Sequence, residues 1–347
     1  MRPTRPDPYR GNAQAADSVT RQTHHGYPGD GMTHQIVFLD RSTLQAKVRR
    51  PAFEHRWQEY PVTAPNELPE RLRDATIAIT NKVPLRAETL QRLPKLKMIA
   101  VAATGYDVID ISYCKANGIA VANIRNYAVH TVPEHAFTLI TALRRNLLAY
   151  RRDVENGRWQ QVDQFCFFDH PIRDLHGATI GIIGEGVLGQ GTARIARGFG
   201  MNVLFADHAP PKAPGVVFTP LAQVLAQSDV ISLHLPLTDE TRNMIGSEEL
   251  RQMKRSAILI NTARGGLVDE QALVQALQQG LIAGAGFDVL TNEPPRQGNP
   301  LLELRLPNFI LTPHIAWASD GAMQFLADQL IDNIEAFVAG KPQNLVT

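Results

Sequence analysis

From Gln35 onward, short apolar runs rich in β-branched residues alternate with helix-like patterns. That alternation constrains the fold most, because a parallel strand pair needs a crossover long enough to hold a helix, whereas an antiparallel pair needs only a turn. In the first stretch strands are expected at Ile36–Leu39, Thr76–Thr80, Met98–Ala102 and Ile119–Val121. Helix-like segments around Arg86–Arg92 and Ile109–Ala116 lie between them, with Gly118 as a stop. A second series is expected at Thr179–Ile183, Asn202–Ala206, Val230–His234, Ala257–Asn261, Ala283–Val289 and Phe309–Leu311. Between the two series, Ala136, Ile140, Leu143, Leu147, Tyr150 and Val154 recur at spacings of three and four, which predicts one long helix from Pro133 through Val154. Thr219-Pro220 reads as an N-cap and first helical position for a helix through Gln227, and a last helix is expected over about Ser319–Ala339.

A chain of 347 residues divides into about two domains. Lys+Arg of 35 against Asp+Glu of 34 leaves a net charge of +1, which argues against a nucleic-acid partner held through its phosphates. Apolar runs such as Met98–Ala103 fall far short of the roughly 18 residues a membrane span needs. Two cysteines, Cys114 and Cys166, build no disulfide framework, so a reducing, cytoplasmic setting is expected. Residues 1–33 hold four Pro, four Gly and almost no aliphatic side chains, and read as a disordered extension without the apolar stretch of a secretory signal. His24 and His25 fall in it, and no metal site is expected anywhere in the chain.

The expected strand Thr179–Ile183 runs into Gly184-x-Gly186-x-x-Gly189 and then a helical stretch. Gly184 suits a tight turn, Gly186 lets backbone approach a pyrophosphate, and Gly189 allows close packing of helix on strand. Val187 and Leu188 bring no cation, which leaves a pyrophosphate to backbone N–H groups at the helix start. Asp207 follows 18 residues after Gly189, at the end of the next strand, where a carboxylate accepts from a ribose 2′-hydroxyl. With His208 but no Arg beside it, Asp207 favours NAD over NADP.

Chemistry in a doubly wound sheet collects beyond the C-terminal ends of its strands. Three later strands end in Asn261-Thr-Ala-Arg264, Asp288-Val-Leu-Thr-Asn-Glu293 and Thr312-Pro-His314. An Arg supplies a planar fork for a carboxylate, a His exchanges a proton near neutral pH, and an acid beside the imidazole orients it. Near-zero net charge makes any pull on an anionic substrate local, at Arg264. His135 and His234 are expected to pack or cap, and Cys166 to pack.

Taken together, Gly184–Gly189, Asp207, the segment ending at Arg264, Phe287-Asp288-Val289, Glu293-Pro294 and Pro313-His314 resemble the D-2-hydroxyacid dehydrogenase family over nearly the whole chain from Gln35. The resemblance implies an α/β fold of two flavodoxin- or Rossmann-like doubly wound parallel-sheet domains in a homodimer. A discontinuous substrate-binding domain (34–130 and 315–347) would enclose an inserted NAD-binding domain (131–314). It implies hydride transfer to C2 of a 2-oxo acid, with His314 as acid and base, Glu293 supporting it and Arg264 binding substrate. Thr104 and Gly105 would take the substrate carboxylate, and Thr104, Val187, Leu188, Leu235, Thr262, Asp288 and His314 would line the NAD site. The segments Ala102–Asp107 and Trp159–Cys166 look most like the glycerate dehydrogenase (hydroxypyruvate reductase) branch, with glyoxylate as a second substrate. D-Lactate or another 2-hydroxy acid is the nearest alternative. A second class of reading is an NAD-sensing binding protein like the corepressors that resemble this family, against which the intact Arg264, Glu293 and His314 set speaks.

Overall fold

Residues 33–207 and 217–347 are described by the computed structural model, and twelve strands in two sheets run through them. The extension read over residues 1–33 (Thr33 apart), with His24 and His25, lies outside the described residues, as does His208. The first sheet holds β1 (His34–Phe38), β2 (His55–Glu59), β3 (Ile77–Thr80), β4 (Met98–Val101) and β5 (Ala120–Ala122), in the order β2-β1-β3-β4-β5. The second holds β6 (Thr179–Ile183), β7 (Asn202–Asp207), β8 (Phe218–Pro220), β9 (Val230–Leu233), β10 (Ile258–Asn261), β11 (Gly284–Phe287) and β12 (Phe309–Leu311). Its order is β12-β11-β10-β9-β6-β7-β8, and every strand pair in both sheets is parallel. Both orders reverse direction once, at β1/β3 and at β6/β9, and such a switch point opens a crevice at the strand C-termini.

The strands legible as apolar runs are all the interior ones and the edges β5 and β12. β3, β4, β9, β10 and β11 are buried at every position, as a sheet covered on both faces requires. Sequence reasoning missed β2 and β8, both at sheet edges. β2 reads His-Arg-Trp-Gln-Glu with no buried residue, and β8 is three residues ending in a proline, which an edge tolerates. Phe218–Pro220 therefore corrects the reading of Thr219-Pro220 by one position: Pro220 is the N-cap, and the helix runs Leu221–Gln227.

The single helix expected from Pro133 through Val154 is two helices, Thr131–Arg144 and Leu147–Glu155. Asn146 between them takes φ 49°, a left-handed conformation that Asn tolerates better than most residues. The break re-aims the apolar face. Ala136, Ile140 and Leu143 stay buried against Ile180, Ile182, Ile258 and Ile260, while Leu147 is 59% exposed.

The last helix, Asp320–Val338, is capped by Ser319, whose hydroxyl accepts from Ala322 N–H. Leu326, Leu330, Ile331 and Ile334 pack on Ile36, Phe38, Ile77 and Ile79, so the end of the chain completes the first half. Each such side chain contributes about 1.5–3 kcal/mol of burial before ordering costs. Asn333 Nδ2 adds a buried hydrogen bond to Asn123 O at 3.0 Å, just beyond β5. The strands of the second sheet thus fall in the chain between the first sheet and the helix that packs on it.

No described helix is long and apolar enough to cross a membrane.

Candidate active site

A cleft of about 490 Å³ opens where strand ends of both sheets meet. From the first sheet it is lined by Asn81 and Lys82 after β3, by Ala102–Gly105 after β4 and by residues after β5. From the second it is lined by His234 and Leu235 after β9, Thr262–Arg264 after β10, Asp288 after β11 and His314 after β12, with Val187 and Leu188 at a helix start. Thr104, Gly105, Val187, Leu188, Leu235, Thr262, Arg264, Asp288 and His314 therefore share one space. Gly184, Gly186, Gly189, Asp207 and Glu293 stand outside that lining.

His314 and Glu293 meet nonetheless. His314 Nδ1 lies 2.5 Å from Glu293 Oε2, and Leu290 N–H donates to Glu293 Oε1 at 2.7 Å. Burial works to raise the Glu293 carboxyl, but its hydrogen bond to His314, the imidazole charge, the Leu290 N–H and the Lys82 ammonium outweigh it, so it lies below the ordinary 4.5. An ionised Glu293 accepts the Nδ1 proton, which leaves Nε2 as the nitrogen free for proton exchange.

His314 itself takes φ 57°, and the loop that holds it there is built around Asp288. This carboxylate is 1% exposed. It accepts from the Thr312 hydroxyl at 2.6 Å and Ile315 N–H at 2.9 Å on Oδ1, and from Ala316 N–H at 2.8 Å on Oδ2. His135 Nε2, from the helix Thr131–Arg144, reaches Thr312 Oγ1 at 3.0 Å and lies 3.7 Å from Asp288 Oδ1. Asp288 thus spends both oxygens on the loop flanking His314.

Arg264 comes from the second half and packs on the first. Its Nη2 sits 2.7 Å from where a Cβ on Gly105 would be, so any larger residue at 105 would push the guanidinium away. Its Nη1 donates to Ala263 O at 2.8 Å, while Asn261 Nδ2 donates to Arg264 O at 2.8 Å and fixes the turn. The Thr104 hydroxyl donates to Ile124 O at 2.8 Å and Asn123 Nδ2 donates to Thr104 O at 2.8 Å, so the β4 loop is tied to β5.

The glycine loop shows why two of its residues lack side chains. Gly184 has φ 112°, and a Cβ on Gly189 would lie 1.9 Å from Gly184 O. Gly186 is the N-cap of the helix Val187–Gly198, with no side chain capping it and nothing within 4 Å of a Cβ built there. Free N–H groups at a helix start beside open space suit a phosphate. The Thr262 hydroxyl, 9% exposed, lines the cleft with no hydrogen-bond partner among the described residues. An orphaned buried hydroxyl beside such a loop fits a bound dinucleotide. Asp207 ends β7, the strand next to β6, with its side chain exposed.

Loss of water around His234 pushes its imidazole down to about 4, and Ser232 Oγ lies 2.9 Å from its Nε2; this histidine is neutral at ordinary pH. Burial pushes the cleft-lining Tyr127 hydroxyl up to about 12, against the opposing charge of Arg264. Sequence reasoning passed over Tyr127, Asn81 and Lys82. The last two directly follow an expected strand, so the strand-end rule that found Arg264 would also have found them. Among the described residues no group of three or more His, Cys, Asp or Glu could hold a metal.

The family model for the D-isomer specific 2-hydroxyacid dehydrogenase NAD binding domain matches residues 137–316. The chain belongs to that family. This oxidoreductase is 59% identical to a glycerate dehydrogenase of Methylorubrum extorquens over 316 residues, 91% of this chain and 99% of the relative. It is 38% identical to a hydroxypyruvate reductase of Blautia hydrogenotrophica over 82% of this chain and 89% of that one. Among solved structures, a D-lactate dehydrogenase of Aquifex aeolicus complexed with NAD and lactic acid matches at TM-score 0.74 and 31% identity, covering 88% of the dehydrogenase described here and 96% of that chain. An acyclic imino acid reductase in complex with NADPH and D-Arg matches at TM-score 0.79 and 31% identity, covering 90% and 100%. The bound nicotinamide cofactors of these two differ.

Proposed function

We propose that this dehydrogenase interconverts hydroxypyruvate and D-glycerate, and less readily glyoxylate and glycolate, with NAD(H). The observation that carries the reading is that His314, paired to Glu293, shares one cleft with Arg264, whose guanidinium packs on Gly105. The two relatives named for glycerate and hydroxypyruvate support the substrate.

Arg264 and the backbone N–H groups of Thr104–Gly105 bind the substrate carboxylate, and Arg264 polarises the C2 carbonyl. Gly184–Gly189, Val187, Leu188, Leu235 and Thr262 would hold the dinucleotide, which when bound would supply or accept the hydride at C2. His314 Nε2 gives its proton to the C2 oxygen as the alkoxide develops and takes it back in the oxidising direction, a contribution of about 10²–10⁴ in rate. Glu293 holds the ring and stabilises its charged form. Asp207 accepts from the ribose 2′-hydroxyl and disfavours a 2′-phosphate there. The exposed Leu147, Trp159, Phe165 and Phe168 support a homodimer, which light scattering tests by mass. The two free cysteines support a reducing, cytoplasmic setting.

The test is NADH oxidation with hydroxypyruvate, glyoxylate, pyruvate and phosphohydroxypyruvate, repeated with NADPH. Hydroxypyruvate with NADH gives the highest kcat/KM, and His314→Ala lowers kcat by about 10²–10⁴. A variant that keeps full rate overturns the role of His314, and a preference for NADPH overturns that of Asp207. Binding of NADH without turnover of any 2-oxo acid would favour the NAD-sensing reading.

A further inference from the structure

Asn81 and Lys82 close β3, the neighbour of β4, and so face the cleft one strand away from Thr104 and Gly105. Their backbone is fixed: Asp40 accepts Asn81 N–H at 2.9 Å and Lys82 N–H at 2.6 Å. Their side chains are not. Among the described residues, neither the Asn81 amide nor the Lys82 ammonium has a hydrogen-bond or ion-pair partner, although Asn81 is only 5% exposed. Removal from water lowers the Lys82 pKa, and the like charge of Arg264 lowers it further; Glu293, Asp107 and Asp40 pull the other way without reaching it. Lys82 is exposed and Asn81 is buried at the cleft wall, so both side chains can turn to a ligand in the cleft that brings a donor and an acceptor.

The functional reading above, on which the next step rests, assigns two of the three substituents on C2. The carboxylate lies at Gly105 and Arg264, and the oxygen lies at His314. The third, C3, has no partner in that reading, and Asn81 and Lys82 line the same cleft with side chains not otherwise engaged. We propose that Asn81 and Lys82 form the subsite that reads the C3 substituent, selecting 2-oxo acids with a hydroxyl there over those with a bare methyl. The hydroxyl donates to Asn81 Oδ1 and accepts from Lys82 Nζ. A site built to hydrogen-bond a substrate hydroxyl rejects the analogue lacking it far better than an apolar pocket separates two sizes.

The experiment compares kcat/KM for hydroxypyruvate and for pyruvate, which differ by that hydroxyl, in the wild type, Lys82→Met, Lys82→Arg and Asn81→Ala. Loss of a hydrogen bond to a charged donor lowers the hydroxypyruvate-to-pyruvate ratio by about 10- to 100-fold in Lys82→Met, chiefly through KM for hydroxypyruvate. Lys82→Arg restores part of that ratio, and Asn81→Ala lowers it less. Equal losses on both substrates would place Lys82 at the shared carboxylate and overturn the proposal, as would an unchanged ratio. A higher kcat/KM for phosphohydroxypyruvate than for hydroxypyruvate would overturn the hydroxyl as the feature read. If the wild type turns over neither substrate, the reading of the whole site fails; if it turns over both and the ratio resists Lys82→Met, only this subsite fails.

Discussion

Each half of the molecule fixes a cleft loop with one buried carboxylate, and the two loops differ in what they leave unfinished. Asp40, 3% exposed, holds the Asn81–Lys82 turn by its backbone and leaves both side chains without partners among the described residues. Asp288, 1% exposed, holds Thr312, Ile315 and Ala316, and the histidine between them is itself paired to Glu293. The second sheet thus presents a reactive group already oriented, as proton transfer requires. The first presents a donor and acceptor pair that no other described side chain engages.

The largest effect is expected from breaking the finished side. Glu293→Gln removes the charge opposite His314 and lowers kcat by about 10²-fold, the lower end of a general acid's contribution, with a smaller change in KM. Because the folded pKa of Glu293 is depressed, its ionised form contributes stability that is fully present above 4.5 and is lost as pH falls through the depressed value. Urea unfolding at a series of pH values should therefore show the gap between wild type and variant closing below about 4.5. A gap that stays constant down to the acid transition would mean that Glu293 is not ionised against His314.

Asp288→Asn comes next. Oδ1 serves two donors and Oδ2 a third, so an amide in either orientation points its NH₂ at a backbone N–H. One buried donor is left unsatisfied at a cost of about 1–3 kcal/mol in denaturant unfolding. If Asp288 acts by bracing the loop, kcat falls together with stability while KM for NADH moves little. Unaltered stability with a raised KM for NADH would instead make Asp288 a direct cofactor contact and break the parallel with Asp40.

Much of this arrangement was legible in sequence, and the limits have physical causes. β3, β4, β9, β10 and β11 were readable because burial on both faces demands uninterrupted apolar runs. β2 carries alternate polar residues at an edge and gave no such run. Arg264, Glu293 and His314 stood out because an Arg, an acid and a His follow three separate strand ends, where such a sheet collects its chemistry, and Gly184 and Gly189 because their spacing marks a turn where nothing larger fits. Asn81-Lys82 looks like any polar turn; what marks it is the absence of partners, which only three dimensions reveal. Asp40 was invisible for a related reason, since its bonds span 41 and 42 residues.

The same substitution at Asp40 should cost least. Asn81 N–H reaches both Asp40 oxygens, at 2.9 and 3.1 Å, and Lys82 N–H reaches Oδ2 at 2.6 Å. An asparagine with its oxygen in the Oδ2 position still accepts from both donors although its NH₂ then faces Asn81 N–H, so no donor is orphaned and Asp40→Asn loses about 1 kcal/mol, the net worth of a single hydrogen bond. Its pH dependence has the opposite sign to that of Glu293. Burial raises the Asp40 pKa despite the backbone N–H groups that lower it, so the folded state holds this proton longer than the unfolded one. Wild-type stability then falls as pH rises from 3.8 through the raised value, and Asp40→Asn lacks that fall. The variant should gain on the wild type across that window and hold the gain above it. A variant that instead loses ground with rising pH would show that Asp40 is stabilised as a carboxylate, and the two loop anchors would then be alike.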